Sequence, residues 1–145
     1  MSMKISNEKL NDLQINQKDV IHFKEGIPGF EKFKDYVLLQ EQEIPFVMTL
    51  QSIDDEFPSF VVIDPYAFIQ NYDPKLSKKN LDFFGCDSQE DLRVLLITVI
   101  PKDLKDTVVN LKSPIIINAK TNDAKQFILE NTDYPIRYRL FDEKK

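Results

Sequence analysis

The stretch PFVMTLQSIDDEFPSFVVID, residues 45–64, decides the fold. It contains two runs rich in β-branched and aromatic residues, Pro45–Ser52 and Ser59–Asp64, on either side of the acidic residues 54–56. Two such runs separated by a short polar segment predict a β-hairpin, and here the tip of the hairpin is acidic. Pro65 predicts the end of the second strand, because proline has no backbone N–H to donate to a neighbouring strand.

Further short strands are predicted on both sides of this hairpin. Their β-branched and aromatic residues form short runs between polar, proline or glycine residues, which is typical of β-rich folds. These segments are Met3–Ile5, Leu13–Ile15, Val20–Phe23, Val37–Leu39, Arg93–Ile100, Thr107–Asn110, Pro114–Asn118 and Lys125–Leu129. Glu31–Tyr36, between two of them, is predicted to hold no more than one or two helical turns.

One helix is predicted in the middle of the chain. Asp73 is the expected N-cap and Pro74 the first helical residue, since the N–H that proline lacks has no partner at this position. Gly85 stands where a left-handed residue can end the helix. Ser88, three residues before Asp91, predicts a short turn ahead of the next strand. We therefore expect a mainly β fold, a small antiparallel β-barrel-like domain with one or two short helices.

Length and composition indicate a single globular domain over residues 1–145. Hydrophobic residues make up 42% of the chain and charged residues 30%, which is typical of a folded domain. Apolar runs such as residues 94–97 stop far short of the roughly 20 residues that a membrane span needs. The N-terminus lacks the apolar stretch of a secretory signal, and the single cysteine, Cys86, fits a reducing compartment. We expect a cytoplasmic protein with no membrane contact.

The charge balance indicates the class of partner. Nineteen lysines and arginines against 24 aspartates and glutamates give a net charge of −5. Nucleic-acid binders usually carry an excess of basic residues, because contacts with phosphates supply most of their non-specific affinity. An acidic surface instead speeds the encounter with a basic protein. Direct nucleic-acid binding is therefore disfavoured, and a protein partner is favoured.

The sequence contains few residues that could form a catalytic site. His22 is the only histidine, so a site with several histidine ligands cannot form within one chain. His22 and Cys86 could in principle form a nucleophilic dyad, but neither lies in a nucleophile motif. We expect no enzymatic activity, no cofactor and no metal. A small hydrolytic or RNA-binding β-domain is the alternative.

Two local features are candidate contact points for a partner. Residues 26–30, GIPGF, have the chemistry of a type II turn with Ile27 and Phe30 at its corners. These two side chains form either an exposed apolar corner or part of the core. Likewise, the acidic hairpin tip, residues 54–56, is either a solvated loop or a contact for a basic protein.

The eleven phenylalanines are mostly expected in the core. A barrel of this size needs bulky side chains to fill it. This expectation covers Phe30, Phe33, Phe46, Phe57, Phe60 and Phe68. No strand interleaves aromatic residues with arginine in the manner of a base-stacking surface, which again disfavours RNA binding.

Four segments together resemble the FliW family of flagellar assembly factors. They are residues 23–31 (FKEGIPGFE), Pro45-Phe46 running into residues 50–52 (LQS), residues 60–65 (FVVIDP) and residues 107–118 (TVVNLKSPIIIN). In this order and spacing the resemblance spans about residues 3–140. Ser113 stands where alanine is usual in the family, and residues 134–145 are the least similar part.

The resemblance implies a β-barrel-like monomer that is not an enzyme. FliW proteins bind flagellin and the RNA-binding translational repressor CsrA. Free flagellin occupies FliW and leaves CsrA to repress flagellin translation; once flagellin is exported, FliW captures CsrA and translation resumes. The residues expected to face these partners are Ile27, Pro28, Phe30, Glu31, Asp54, Asp55 and Glu56, with Gln51, Asn110 and Asn118 as second choices.

Overall fold

The computed structural model describes residues 15–40, 44 and 46–141 of the chain. Within these ranges it contains nine strands and one α-helix, joined by turns and short 3-10 segments. The helix, α1, covers Lys78–Phe83. The strands are β1 (Ile21–Phe23), β2 (Asp35–Gln40), β3 (Val47–Ser52), β4 (Ser59–Ile63), β5 (Leu92–Val99), β6 (Val108–Val109), β7 (Ile115–Asn118), β8 (Asp123–Gln126) and β9 (Tyr138–Arg139).

Seven of the strands close into a barrel, which confirms the predicted fold class. Neighbours pair in the order β4-β3-β2-β1-β8-β7-β5, and β4 also pairs with β5 to complete the circle. β6 and β9 form a short ribbon on β5. The expectation of a wholly antiparallel barrel is wrong at one place, since β1 and β8 run parallel. A parallel pair needs a long crossover connection, and the rest of the barrel supplies it.

Alternate residues along the strands fill the barrel interior. Leu50, Val62, Leu95 and Ile115 have no exposed surface and lie together inside. Their sequence neighbours, such as Ile63, point outward into a second apolar cluster that α1 and the loops cover. The middle of β5 and all of β7 are therefore buried on both faces, which explains the apolar runs at residues 94–97 and 115–117.

The central hairpin is confirmed. β3 and β4 pair antiparallel with Gln51 opposite Ser59, so that residues 53–58 form the acidic loop between them. The first strand begins at Val47, two residues later than predicted. Phe46 has a left-handed backbone with φ of 66°, a conformation that an extended strand cannot continue.

The predicted helical turns in Glu31–Tyr36 do not form. β2 instead begins at Asp35, and the ring of Tyr36 packs edge to face on Phe23 inside the barrel, with 5.1 Å between centroids. Six residues carry too little helical preference to compete with this burial.

The N-cap of the helix is Ser77 and not Asp73. The Asp73 carboxylate accepts hydrogen bonds from the Lys75 N–H and from Gln89 Nε2, each at 2.9 Å, and Lys75 adopts a left-handed φ of 47°. Ser77 Oγ instead accepts the N–H of Asn80 at 3.1 Å and caps the helix. The predicted glycine at the other end, Gly85, has φ of 66° as expected. No helix in the described part of the chain is long and apolar enough to cross a membrane.

The ends of the chain differ most from the predictions. Met3–Ile5 lies outside the described residues, and so does all of Leu13–Ile15 except Ile15, which is buried but not in a strand. β9 is absent from the predictions, because two residues paired with β6 are too short for a recognisable pattern. β8 ends at Gln126, whereas the predicted strand continues to Leu129.

Candidate protein-binding surfaces

The turn at residues 26–31 places one corner inside the protein and the other outside. The Phe30 N–H donates to the Ile27 carbonyl at 2.7 Å, and Gly29 has φ of 89°, as a type II turn requires. Ile27 is only 2% exposed, so the expectation that it faces a partner is corrected: it belongs to the core. Phe30 is 40% exposed and packs edge to face on Phe60.

Glu31 fixes the exposed side of this turn. Its two carboxylate oxygens accept the Gly29 N–H at 3.1 and 2.9 Å. Pro28 and Glu31 are exposed beside Phe30. The turn therefore presents a small surface of one proline, one aromatic ring and one oriented carboxylate.

The acidic tip is exposed and is held in shape by a buried amide. Gln51 Nε2 donates to the carbonyls of Ser52, Asp55 and Glu56 at 3.2, 3.3 and 3.0 Å. Gln51 therefore builds the loop from inside and does not face a partner, which corrects its assignment. Residues 54–56 are exposed to solvent, and their role as a contact for a basic protein stays a prediction.

The carboxyl of Asp54 is partly buried and lies near another carboxylate. Partial burial raises the pKa of its carboxyl, and repulsion from the Asp35 carboxylate raises that pKa further. Oδ1 of Asp35 in turn lies 2.7 Å from Nδ1 of His22. Phe57, which follows the acidic residues, is 71% exposed. The tip thus combines clustered negative charge with an exposed aromatic ring.

Asn110 and Asn118 shape turns within the chain. Asn110 Oδ1 accepts the N–H groups of Lys112 and Ser113, each at 3.0 Å. Asn118 is buried; its Oδ1 accepts the Lys120 N–H at 3.0 Å and its Nδ2 donates to a carbonyl of the helix end. The assignment of Asn118 as a partner-facing residue is corrected, because it is buried and its amide group serves these internal hydrogen bonds. Asn110 is half-buried, so its assignment stays a prediction.

The two candidate catalytic residues have separate surroundings. His22 contacts Asp35, whereas Cys86 Sγ lies 3.7 Å from the Phe84 carbonyl and from Asn118 Nδ2. No contact joins His22 to Cys86. In the ranges that the structure describes, no group of three or more histidine, cysteine, aspartate or glutamate residues could hold a metal ion.

The sequence predictions missed an apolar groove of about 340 Å³. At its rim Phe46 is 59% exposed, although its left-handed φ of 66° is strained for so bulky a residue. Phe46, Phe68 and Phe141 form a chain of rings with centroids 6.3 and 6.2 Å apart. The groove is lined by Ile44, Phe46, Val47, Ile63, Phe68, Thr98, Ile100, Leu104, Thr107, Leu140 and Phe141.

Two ion pairs are formed by residues next to those that line the groove. Arg139 bonds to Asp106 at 2.8 Å, and Lys105 lies 3.5 Å from Asp103. An exposed apolar centre bordered by polar groups is the usual anatomy of a protein interface. The groove is therefore suited to bind apolar side chains of another protein.

Comparison with known proteins identifies the family. A family model described as FliW protein matches residues 4–140. The chain belongs to the FliW family. Flagellar assembly factor FliW of Geobacillus kaustophilus (strain HTA426) is 37% identical over 142 residues, which cover 98% of each chain. The relative from Caldanaerobacter subterraneus subsp. tengcongensis is 37% identical over 145 residues, covering 99% of this chain and 96% of its own. A crystal structure of the flagellar assembly factor FliW matches with a TM-score of 0.83 at 35% identity, covering 90% of this chain and 92% of that chain.

The FliW motifs do not reveal the groove, although one of them contains Phe46. The sequence assigned Phe46 and Phe68 to the core, as it did Phe57, and the structure leaves all three exposed. The groove is built from four segments that are far apart in sequence, and only the closed barrel brings them together. No local pattern could therefore have predicted it.

We expect Gly26→Ala to destabilise this FliW-family chain more than Gly29→Ala does. Both glycines have positive φ, and either alanine costs about 1–2 kcal/mol for that conformation. A Cβ at Gly26 would lie 2.6 Å from the Glu31 Cα, whereas a Cβ at Gly29 meets nothing within 4 Å. Overpacking adds about 1–3 kcal/mol at Gly26 alone. Urea unfolding measures both, and equal losses would contradict this description of the turn.

We expect Asp54→Asn to stabilise the protein in a pH-dependent way. The pKa of Asp54 is raised in the folded state, so its ionised form opposes folding at neutral pH and this cost disappears once the carboxyl is protonated. The midpoint of thermal unfolding should rise by about 1–3 °C at pH 7 and should not change near pH 3. Asp54→Glu, which keeps the charge, is the control. A gain of equal size at both pH values would show that charge is not its cause.

Proposed function

We propose that this chain is a cytoplasmic flagellar assembly factor that acts by binding two proteins in turn. It binds flagellin, and it binds the translational regulator CsrA and so relieves CsrA repression of flagellin translation. It acts as a monomer, without catalysis and without contact to nucleic acid. Membership of the FliW family supports the flagellar role.

The apolar groove carries this proposal. Exposing a ring such as that of Phe46 to water is unfavourable, and its backbone is strained as well, so the position is explained by an interaction outside the chain. Buried aromatic side chains contribute much of the binding energy of protein interfaces. The paired charges beside the groove leave its centre free for apolar contacts.

We assign the groove to flagellin. A protein that assembles into a filament buries part of its surface against its neighbours, so before assembly that surface is exposed. An apolar groove can cover such a surface until the subunit is exported.

We assign the acidic tip to CsrA. A protein that binds RNA must present basic residues to the phosphates, and clustered carboxylates attract such a surface. Asp54, Asp55 and Glu56 are exposed on one loop, and Phe57 beside them adds an apolar contact. Bound there, the negatively charged chain also repels RNA from CsrA.

Phe46→Gly tests the groove without weakening the fold. Glycine relieves the positive φ, so the free energy of unfolding should stay within about 1 kcal/mol of the original. Loss of the ring should weaken flagellin binding by about 30-fold and leave CsrA binding within about twofold. Calorimetric titration with each purified partner measures both affinities.

The matched control is Ile136→Ala, which removes an exposed apolar side chain that does not line the groove. It should bind flagellin normally. Unchanged flagellin binding by Phe46→Gly would overturn the assignment of the groove.

The tip is tested by the triple variant Asp54→Asn, Asp55→Asn and Glu56→Gln. Its association rate with CsrA should fall about tenfold at low salt, and the dependence of that rate on salt should weaken. Stopped-flow fluorescence measures the rate. Asp82→Asn with Asp87→Asn and Glu90→Gln removes the same charge from exposed positions elsewhere and should have little effect. Equal effects of the two triple variants would show that only net charge matters, and RNA binding by the unmodified protein would contradict the proposal.

A further inference from the structure

A second cleft, of about 390 Å³, lies between α1 and the chain segment that continues β8. Phe127 and Leu129 donate their N–H groups to the carbonyls of Pro114 and Lys112, at 3.1 and 2.8 Å. The segment thus stays extended beyond the end of the strand and is paired along one edge. The other edge faces away from these partners.

Ile128 leaves this other edge open. In an antiparallel pair, alternate residues direct their peptide groups to opposite sides, so those of Ile128 point away from the segment that binds its neighbours. β1 covers this edge of β8 only at Asp123 and Ala124. No described residue forms a hydrogen bond with the N–H or the C=O of Ile128. Its side chain is 69% exposed beside the cleft.

The cleft is richer in lysine than the acidic chain as a whole. Lys75, Lys79 and Lys125 line it together with one carboxylate, that of Glu130. Lys125 already has partners within the chain. Its Nζ lies 2.8 Å from the Glu25 carboxylate and is placed over two phenylalanine rings. Within the described ranges, neither Lys75 nor Lys79 forms an ion pair.

The pair formed by Lys125 and Glu25 keeps one end of the cleft fixed. The hydrogen bond from Lys125 lowers the pKa of the Glu25 carboxyl. At the other end Asn131 Nδ2 donates to the Lys75 carbonyl at 3.4 Å. These two contacts fix the ends of the cleft, and the cleft is open between them.

We infer that this cleft binds an extended acidic segment of a partner protein, which adds as a strand along the Ile128 edge and places carboxylates against Lys75 and Lys79. The open peptide groups of Ile128 recognise a polypeptide backbone, which a nucleic acid lacks. The exposed Ile128 side chain contacts an apolar residue of the added strand. This surface is distinct from the apolar groove and carries charge of the opposite sign to the acidic tip.

A fluorescein-labelled peptide of alternating valine and glutamate, six residues long, tests the inference with the full chain. Fluorescence anisotropy should give a dissociation constant of about 100 µM or lower. The same peptide with glutamine in place of glutamate should bind about tenfold more weakly, because it lacks the charges that face the lysines. Equal binding of the two peptides, or no binding of either at 1 mM, would overturn the inference.

Two sets of variants locate the binding. Ile128→Pro removes an N–H that has no partner in the described chain, so it should abolish binding, while Ile128→Val should keep it. Lys75→Gln with Lys79→Gln should weaken binding about tenfold, and Lys32→Gln with Lys102→Gln, exposed elsewhere, should not. If Ile128→Pro does not fold, the lysine variants decide.

Peptide binding that is as tight after the Lys75 and Lys79 changes as before them contradicts the assignment. Binding of a labelled oligouridylate through these lysines, with no binding of the acidic peptide, would identify a nucleic-acid surface and overturn it. Phe46→Gly should leave peptide binding intact, so this result is independent of the proposed flagellin contact.

Discussion

The pairing of β4 with β5 is the constraint on which the rest of the molecule depends. It joins Val62 to Ile97 and Ile63 to Leu96 and closes seven strands into a ring. Among the described residues, side chains without exposed surface pack the inside of that ring. We therefore expect a partner to bind to the outer surface, to the loops, or to a strand segment that extends beyond the barrel.

Several groups of apolar side chains lie on the outside of the barrel. α1 and neighbouring loops cover one cluster, and the segment that begins at Ile15 covers another, around Val37 and Ile53. The groove beside Phe46 has no such cover among the described residues. Burying one phenylalanine side chain contributes about 1.5–3 kcal/mol, so the rings of this groove can supply part of the binding energy of a complex.

The sequence correctly predicted those features of the fold that are determined by residues adjacent in the chain. The hairpin around Asp54 and the turn at Gly29 were predicted correctly, because adjacent residues determine both. The start of the helix was not, since the Asp73 carboxylate is bound by Gln89, which lies far along the chain. The candidate site was predicted only in part. Its acidic tip is local, whereas the groove and the burial of Ile27 depend on how distant segments pack.

Hydrogen–deuterium exchange of the protein, free and bound to each partner, tests most directly whether binding is confined to separate outer surfaces. With flagellin, exchange should slow in residues 46–48 and 98–107 around the groove. With CsrA it should slow in residues 52–57 at the tip, while the barrel strands β1 and β8 keep their rates in both complexes. Slower exchange in those barrel strands, with no change at the groove or the tip, would contradict the account.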